Sequence, residues 1–519
     1  MMPILTPALV RAGAAGPAAL LPDAALLDLP EKVLQFGTGV LLRGLPDFLI
    51  DRANRRGLFN GRVVVVKSTD GGGDAPAFDR QQGLYTVCVR GVEDGAPVAE
   101  NVVCAAISRV LPARGAWAEV LAVAASPALQ VVLSNTTEVG LELLDGEDIH
   151  AAPPRSFPGK LLAVLWARFR AFGPDPARGL VIVPTELVPN NGTVLRGILR
   201  TLAERQGLGD AFLGWLDAAN PVCNSLVDRI VPGRPDAGAL AALAAELGYA
   251  DELLIVAEAY RLWAIEGDAR VRQVLSFAPA DAGVVIQPDI EQFRELKLRL
   301  LNGTHSLSCG LAVLAGCPTV RAAMADANLA AFIHHLMLAD LLPGIPYPLD
   351  EKVGQHFGGQ VLDRFRNPAV EHRWLAITLN YTAKLRLRVV PVLERYHQRF
   401  GAVPEYVALG WAGYLLFMRG QEQDGHGTWH GRLPDGSAYP IHDEQAAYFA
   451  GVWARSAAPE AVAAAVLANA DLWGQDLNAL PGFAASVARH LARVLAQGAP
   501  AAVAALLGRP VPHGIAQRL

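Results

Sequence analysis

Cysteine is sparse in this chain: five residues, Cys88, Cys104, Cys223, Cys309 and Cys317, odd in number and without a CxxC pair. That excludes a disulfide framework and structural zinc, and it places the expected home in a reducing compartment, the cytoplasm. No run of eighteen apolar residues occurs, so no membrane span is expected. There is no basic excess either: net charge is −5 and the pI near 6.2, which leaves no electrostatic footprint for nucleic acid or anionic lipid. Lysine is the scarcest charge, six of 45 basic residues: Lys32, Lys67, Lys160, Lys297, Lys352 and Lys384. Arginine serves wherever a plain positive charge is wanted. It does not deprotonate near neutrality, whereas a desolvated lysine can act as a base.

What the chain does have is 519 residues, 52% hydrophobic and 18% charged, a composition for a globular enzyme of more than one core. Its most unusual stretch is residues 291–312, EQFRELKLRLLNGTHSLSCGLA. Leu296, Leu300, Leu301, Leu307 and Leu311 recur at helical spacing and predict a buried or half-buried helix. Lys297, Asn302 and His305 interrupt its apolar character, and Gly303 is a poor helix former. A lysine among so few, beside an amide and an imidazole, points to proton transfer; an arginine-equivalent lysine is the plain alternative. On an unbroken helix Lys297 and His305 stand roughly 12 Å apart along the axis, at about 1.5 Å per residue. An extended six-carbon acid could span them.

From Lys32 the pattern reads strand, glycine turn, helix, strand: 33–36, Gly37-Thr38-Gly39, 47–56 and 63–66. This predicts the opening of a dinucleotide-binding βαβ unit, with the turn's backbone amides facing a pyrophosphate. Phe36, Gly37, Thr38, Gly39 and Arg43 are the candidate cofactor contacts. The fingerprint is incomplete, with Arg43 rather than a third glycine, and a plain tight turn is the alternative. The second strand ends at Lys67, not Asp or Glu, and Ser68, Thr69 and Asp70 follow, which leaves NAD against NADP open. A hairpin is expected around Asp94-Gly95. Strands are expected at 129–133, followed by Asn135, Thr137 and Glu138 as further cofactor candidates, and at 179–183, followed by Asn190-Asn191-Gly192. Polar residues past the carboxyl ends of parallel strands are where ligands sit in open α/β sheets. For Asn191-Gly192 a turn or helix cap is the plain reading. Asp228 and Arg229 are candidate substrate contacts, with a helix start bearing a salt-linked face as the alternative.

Residues 282–286 read as the last strand of the sheet. Beyond about 288 the pattern is almost wholly helical, so the expected organisation is an N-terminal arm at 1–29, an α/β domain at 30–288 and a helical domain at 289–519. The latter holds the Lys297 helix as one wall of the cleft. Within it, Arg366 and the segment Asn380–Arg388 (NYTAKLRLR) are basic, and Lys384 and Arg386 are candidate cations for an acidic substrate. His426, His430 and His442 occupy a Gly/Pro-rich stretch whose spacing matches no metal-ligand pattern, so no metal is expected.

Taken in order, GTGVLLRG, SNTTE, NNG, NSLVDRI, KxxxxNxxH and RFRNP resemble the polyol-specific long-chain dehydrogenases, the mannitol dehydrogenase family, from about residue 30 to near the C-terminus. The details are most similar to its tagaturonate-reducing, altronate-oxidising branch. The resemblance implies a Rossmann-type N-terminal domain, a mainly α-helical C-terminal domain, NAD and no zinc. It implies Lys297 as general base, Asn191 and Asn302 polarising the reacting oxygen, and His305 holding a substrate hydroxyl. Thr185-Glu186-Leu187 replaces the aspartate-asparagine pair common in mannitol dehydrogenases, which sets a neutral polyol apart from a sugar acid as substrate. Fructuronate, mannitol and a non-catalytic dinucleotide sensor are the alternatives; no nucleic-acid or membrane partner is implied.

Overall fold

The computed structural model describes residues 2–68, 75–136 and 140–508. The chain divides into two compact units, one of residues 1–91 and 97–290, the other of residues 92–96 and 291–519.

Among the described residues the first unit holds eleven strands: β1 (Glu31–Phe36), β2 (Arg62–Lys67), β3 (Tyr85–Glu93), β4 (Ala96–Cys104), β5 (Ile107–Pro112), β6 (Val131–Ser134), β7 (Val181–Pro184), β8 (Ser225–Asp228), β9 (Ile255–Glu258), β10 (Leu262–Glu266) and β11 (Val284–Gln287), of which β3 runs into the second unit at Val92 and β4 begins there at Ala96. Five form a parallel sheet in the order β5-β2-β1-β6-β7. Valine-rich strands suit a sheet buried on both faces, and the side chains alternate as period two demands. Val33, Val63, Val65, Val131 and Leu133 enter one apolar cluster. Leu34, Phe36, Val64, Val66 and Val132 enter another with the helices Ala113–Ala124 and Phe157–Phe172.

Strand order reverses between β1 and β6. The helix expected at 47–56 is found at Pro46–Arg55, preceded by a separate short turn of helix at Val40–Gly44, since Pro46 cannot continue the ladder of the helix before it. The hairpin turns at Asp94 (φ 51°) and Gly95 (φ 75°), the paired positive dihedrals a two-residue Asp-Gly turn requires. Two expectations change. The strand near 282–286 is β11, and it belongs to a separate three-stranded sheet, β11-β10-β8, not to the main one. The segment read alternatively as a helix start at 224–229 is the strand β8, antiparallel to β10. The N-terminal residues pack back on this unit, with Leu5, Leu9, Val10 and Leu27 buried beside Leu84, Cys88 and Leu254.

The described residues of the second unit are mainly helical, with a small antiparallel sheet of β12 (Glu422–Gln423), β13 (Trp429–Arg432) and β14 (Ala438–Ile441). The helix Thr304–Leu314 is buried along its whole length and packs on the helix Glu405–Phe417. Among the described residues no helix is long and apolar enough to cross a membrane.

Candidate active site

In the first unit the turn Gly37-Thr38-Gly39 leaves the carboxyl end of β1, and Asn135 leaves that of the neighbouring β6, at the point where strand order reverses. Gly37 has φ +124°, and a Cβ there would lie 2.9 Å from the Asn135 carbonyl oxygen; no other residue fits. Around Gly39 a Cβ would meet nothing within 4 Å, so the turn faces open space. A glycine turn open to solvent over a topological switch point fits the pyrophosphate of a dinucleotide. Asn135 does not face that space with its amide: Nδ2 donates to the Thr185 carbonyl and hydroxyl, both at 3.0 Å.

Glu186, the middle residue of Thr185-Glu186-Leu187, is buried and laces these ends together. Its Oε1 accepts the Thr136 N–H (2.9 Å) and hydroxyl (3.1 Å), and its Oε2 accepts the Ser134 hydroxyl (3.1 Å). Thr137 and Glu138 lie outside the described residues, as do Thr69 and Asp70.

Three candidates in this unit prove to be internal. Phe36 is a core ring, edge-on to Phe157. Arg43 is turned inward, not toward a cofactor: Nη1 donates to the Leu253 carbonyl (2.8 Å) and the guanidinium lies over Phe78 and Tyr85. Arg229 is likewise buried, over the Phe48 ring, donating to the carbonyls of Glu258 and Gly44. Desolvation, and then the like charge of Arg261, lowers its pKa to about 9. Through Nε and Nη1 it braces the backbone, which is the role its placement supports. Arg229→Met should therefore cost about 1–3 kcal/mol of stability, through carbonyls left without a donor, and leave KM unchanged. A denaturant midpoint equal to wild type together with a raised KM would restore the substrate role. Asp228, at the end of β8, is buried beside it.

Asn191 opens the helix Asn191–Arg205. Its Nδ2 donates to the carbonyls of Pro184 (3.2 Å), Glu186 (3.0 Å) and Ser225 (3.2 Å), and its Oδ1 accepts from the N–H of Gly192 (2.8 Å) and Ser225 (2.9 Å). An amide has two hydrogens to give, and both are committed. Asn191 as placed here is a clamp, and the expected donation to a reacting oxygen has no proton left. Gly192 is explained by the same clamp: a Cβ would lie 2.4 Å from the Cys223 backbone.

In the second unit the helix expected at 291–312 is present but not regular. Between Glu291–Leu296 and Thr304–Leu314, residues Lys297–Gly303 form a π-helix. In an α-helix residues five apart point about 140° away from each other. In a π turn the i→i+5 bonding stacks them, so Lys297 and Asn302 share a face, with His305 three residues on. Lys297 and Asn302 are half-buried and His305 is buried. The His305 ring stacks on Phe365 (4.5 Å between centroids) and stands edge-on to His372 and Trp374. Its Nε2 has no partner among the described residues.

Burial, followed by His372, Arg364, Arg388 and Lys384, holds the His305 pKa well below the usual histidine value. Both causes penalise the imidazolium, so protonation moves to lower pH and the ring is neutral at assay pH. Its ring resonances should show no titration step between pH 8 and 6; a step near 6.5 would contradict this environment.

The expected carboxylate cations divide. Arg386 is exposed and donates to the Asp471 carbonyl (3.2 Å), and Arg366 is exposed and pairs with Asp363 (3.3 Å). Lys384 is half-buried and donates from Nζ to the Ile377 carbonyl (2.9 Å). Arg388, overlooked in the same basic segment, donates to the Ser306 hydroxyl (2.9 Å) and the Asn302 carbonyl (3.4 Å). Burial lowers its pKa to about 10. His430 lies on β13, with Nδ1 against the Thr428 carbonyl, and among the described residues no group of three His, Cys, Asp or Glu is placed to hold a metal.

Two family models match this chain: the mannitol dehydrogenase Rossmann domain over residues 31–277 and the mannitol dehydrogenase C-terminal domain over residues 289–495. The chain belongs to the mannitol dehydrogenase family. Among its relatives, altronate oxidoreductase of Halalkalibacterium halodurans is 39% identical over 490 residues, covering 93% of this chain and 94% of that protein. Altronate oxidoreductase of Bacillus subtilis is 35% identical over 465 residues, covering 89% and 92%. The solved Pseudomonas fluorescens mannitol 2-dehydrogenase, in ternary complex with NAD and D-mannitol, shares the fold with TM-score 0.65 at 23% identity, covering 98% of this chain and all of that one. A Rossmann-type domain followed by a helical domain is thus the mannitol dehydrogenase arrangement, as the motif order implies.

Proposed function

We propose that this oxidoreductase of the mannitol dehydrogenase family interconverts D-tagaturonate and D-altronate with NAD as coenzyme and Lys297 as general acid/base. The observation that carries the reading is the match, over nine-tenths of the chain, to altronate oxidoreductases. The π-helix supports it, because its i→i+5 spacing turns the Lys297 amine and the Asn302 amide toward one side, and the neutral imidazole of His305 follows in the first turn of the next helix.

A bound nicotinamide dinucleotide supplies or accepts the hydride. The protein must manage the proton and the charge on oxygen. As an alcohol is oxidised, the Lys297 amine takes the hydroxyl proton at Nζ; in the reverse direction the ammonium returns it to the forming alkoxide. Asn302, whose side-chain amide donates to no described residue, is the donor for that oxygen. With Asn191 clamped, this task falls to Asn302. His305 Nε2, buried and unpartnered, is free to bond a substrate hydroxyl.

The test is a coenzyme-oxidation assay of the purified protein with NADH and NADPH against tagaturonate, fructuronate and fructose. NADH with tagaturonate should give the highest kcat/KM. Preference for fructuronate, for fructose or for NADPH would each overturn the corresponding part of the reading.

A further inference from the structure

Four cationic or potentially cationic side chains, Arg364, His372, Lys384 and Arg388, act on the buried His305 ring, and no acidic group is among the influences on it. Of these Arg388 stands apart. Its guanidinium is largely desolvated, yet no carboxylate pairs with it among the described residues. Taking a charge out of water without a counter-charge is costly; Arg168 offsets that cost with carbonyls on all three of its nitrogens, whereas Arg388 engages only one among the described residues.

Its position is built. The helix Tyr381–Arg388 is tied at its start by the Tyr381 hydroxyl, which accepts the Gly310 N–H (3.2 Å). Its end is held by Arg299, which pairs with Glu295 and donates to the carbonyls of Leu387 and Arg388. Arg388 uses one nitrogen, Nη1, on Ser306 and Asn302, the residues flanking the His305 face. The Nε and Nη2 edge donates to no described group, and that edge of a guanidinium is the fork that matches a carboxylate with two parallel bonds.

We propose that Arg388 holds the carboxylate of the substrate and thereby sets the preference for a sugar acid over a neutral polyol. The proposal deepens the reading of a sugar-acid reductase and rests on it. Lys384 is the lesser contributor, because its ammonium is already anchored on the Ile377 carbonyl and presents no planar fork. Arg386 and Arg366 are engaged on the exposed surface.

The experiment compares wild type, Arg388→Met and Arg388→Lys, each checked for wild-type melting and NADH binding. It reads steady-state kinetics on tagaturonate and fructose, and calorimetric binding of gluconate, a non-reacting sugar acid, against sorbitol. Arg388→Met should raise KM for tagaturonate about thirtyfold or more and lose gluconate binding, while kcat and any activity on fructose change little. Arg388→Lys should recover part of the loss, having the charge without the fork. Gluconate bound equally well by wild type and by either variant overturns the proposal, as do equal losses on charged and neutral compounds. If Arg388→Met does not fold, Arg388→Lys with unchanged KM and unchanged gluconate affinity overturns it alone. A wild-type protein that ignores tagaturonate but binds gluconate through Arg388 would leave the carboxylate site standing and remove the assigned reaction.

Discussion

Lys297→Ala should lower kcat about 10²–10⁴-fold, the range lost when a positioned acid/base is removed, while NADH binding stays near wild type. The separation follows from where the parts lie. The glycine turn and Asn135 belong to the first unit, and Lys297 belongs to the π-helix of the second. Replacing a half-buried side chain by alanine removes the amine and leaves the surrounding leucines in place, with Leu296 and Leu300 buried on either side. Stopped-flow NADH oxidation and a fluorescence titration of NADH measure the two quantities. A variant keeping more than about a tenth of the wild-type kcat, a loss under roughly 1.4 kcal/mol, would exclude Lys297 as the base.

Asn302→Ala should cost about 10²–10³-fold in kcat, or about 2.7–4 kcal/mol, as removal of a single oxyanion donor does, with KM moved little. The amide is needed only as charge grows on the oxygen, so its loss falls on the transition state. The backbone contact that Asn302 makes, its carbonyl accepting from Arg388, survives the substitution. Asn191→Ala offers the contrast. Its amide holds three carbonyls together, so the variant should be destabilised more than it is slowed. If Asn191→Ala instead melts like wild type and turns over like Asn302→Ala, the clamp is not its main role.

The sheet was readable in outline because its physics is local. Valine runs of four or five residues, bounded by glycine turns and ending in polar residues, admit few other structures, and β1, β2, β6 and β7 appear within two residues of where the pattern puts them. The site was readable only in its membership. A π turn arises from one extra residue, and Leu296, Leu300, Leu301, Leu307 and Leu311 satisfy helical spacing with or without it, so nothing in the string betrays that Lys297 and Asn302 share a face.

Arginine was harder still. Arg43 and Arg229 stand in motifs that face a ligand on paper, yet both are buried and donate to backbone carbonyls inside the fold. Arg62 and Arg168 are used in the same way. Five N–H donors on one planar group make that an economical brace, and a sequence carries no mark of which way the fork turns.

The scarcity of lysine discriminated less than it promised, because Lys32, Lys160 and Lys384 also end on carbonyls, those of Phe59, Arg155 and Ile377. Arg388 went unremarked for the opposite reason. It ends a string of basic residues, and only burial sets it apart from Arg386 on the surface.

The central claim is transfer of a hydride to the carbonyl carbon of a keto-hexuronate, and deuterium transfer tests it most directly. Purified protein is given tagaturonate and NADH carrying deuterium at the transferring position of the nicotinamide ring, and the sugar-acid product is examined by mass spectrometry and NMR. The account predicts altronate with one deuterium on the former carbonyl carbon, formed by wild type and slowed at least a hundredfold in Lys297→Ala. Unchanged tagaturonate, or a product without deuterium at that carbon, would contradict it.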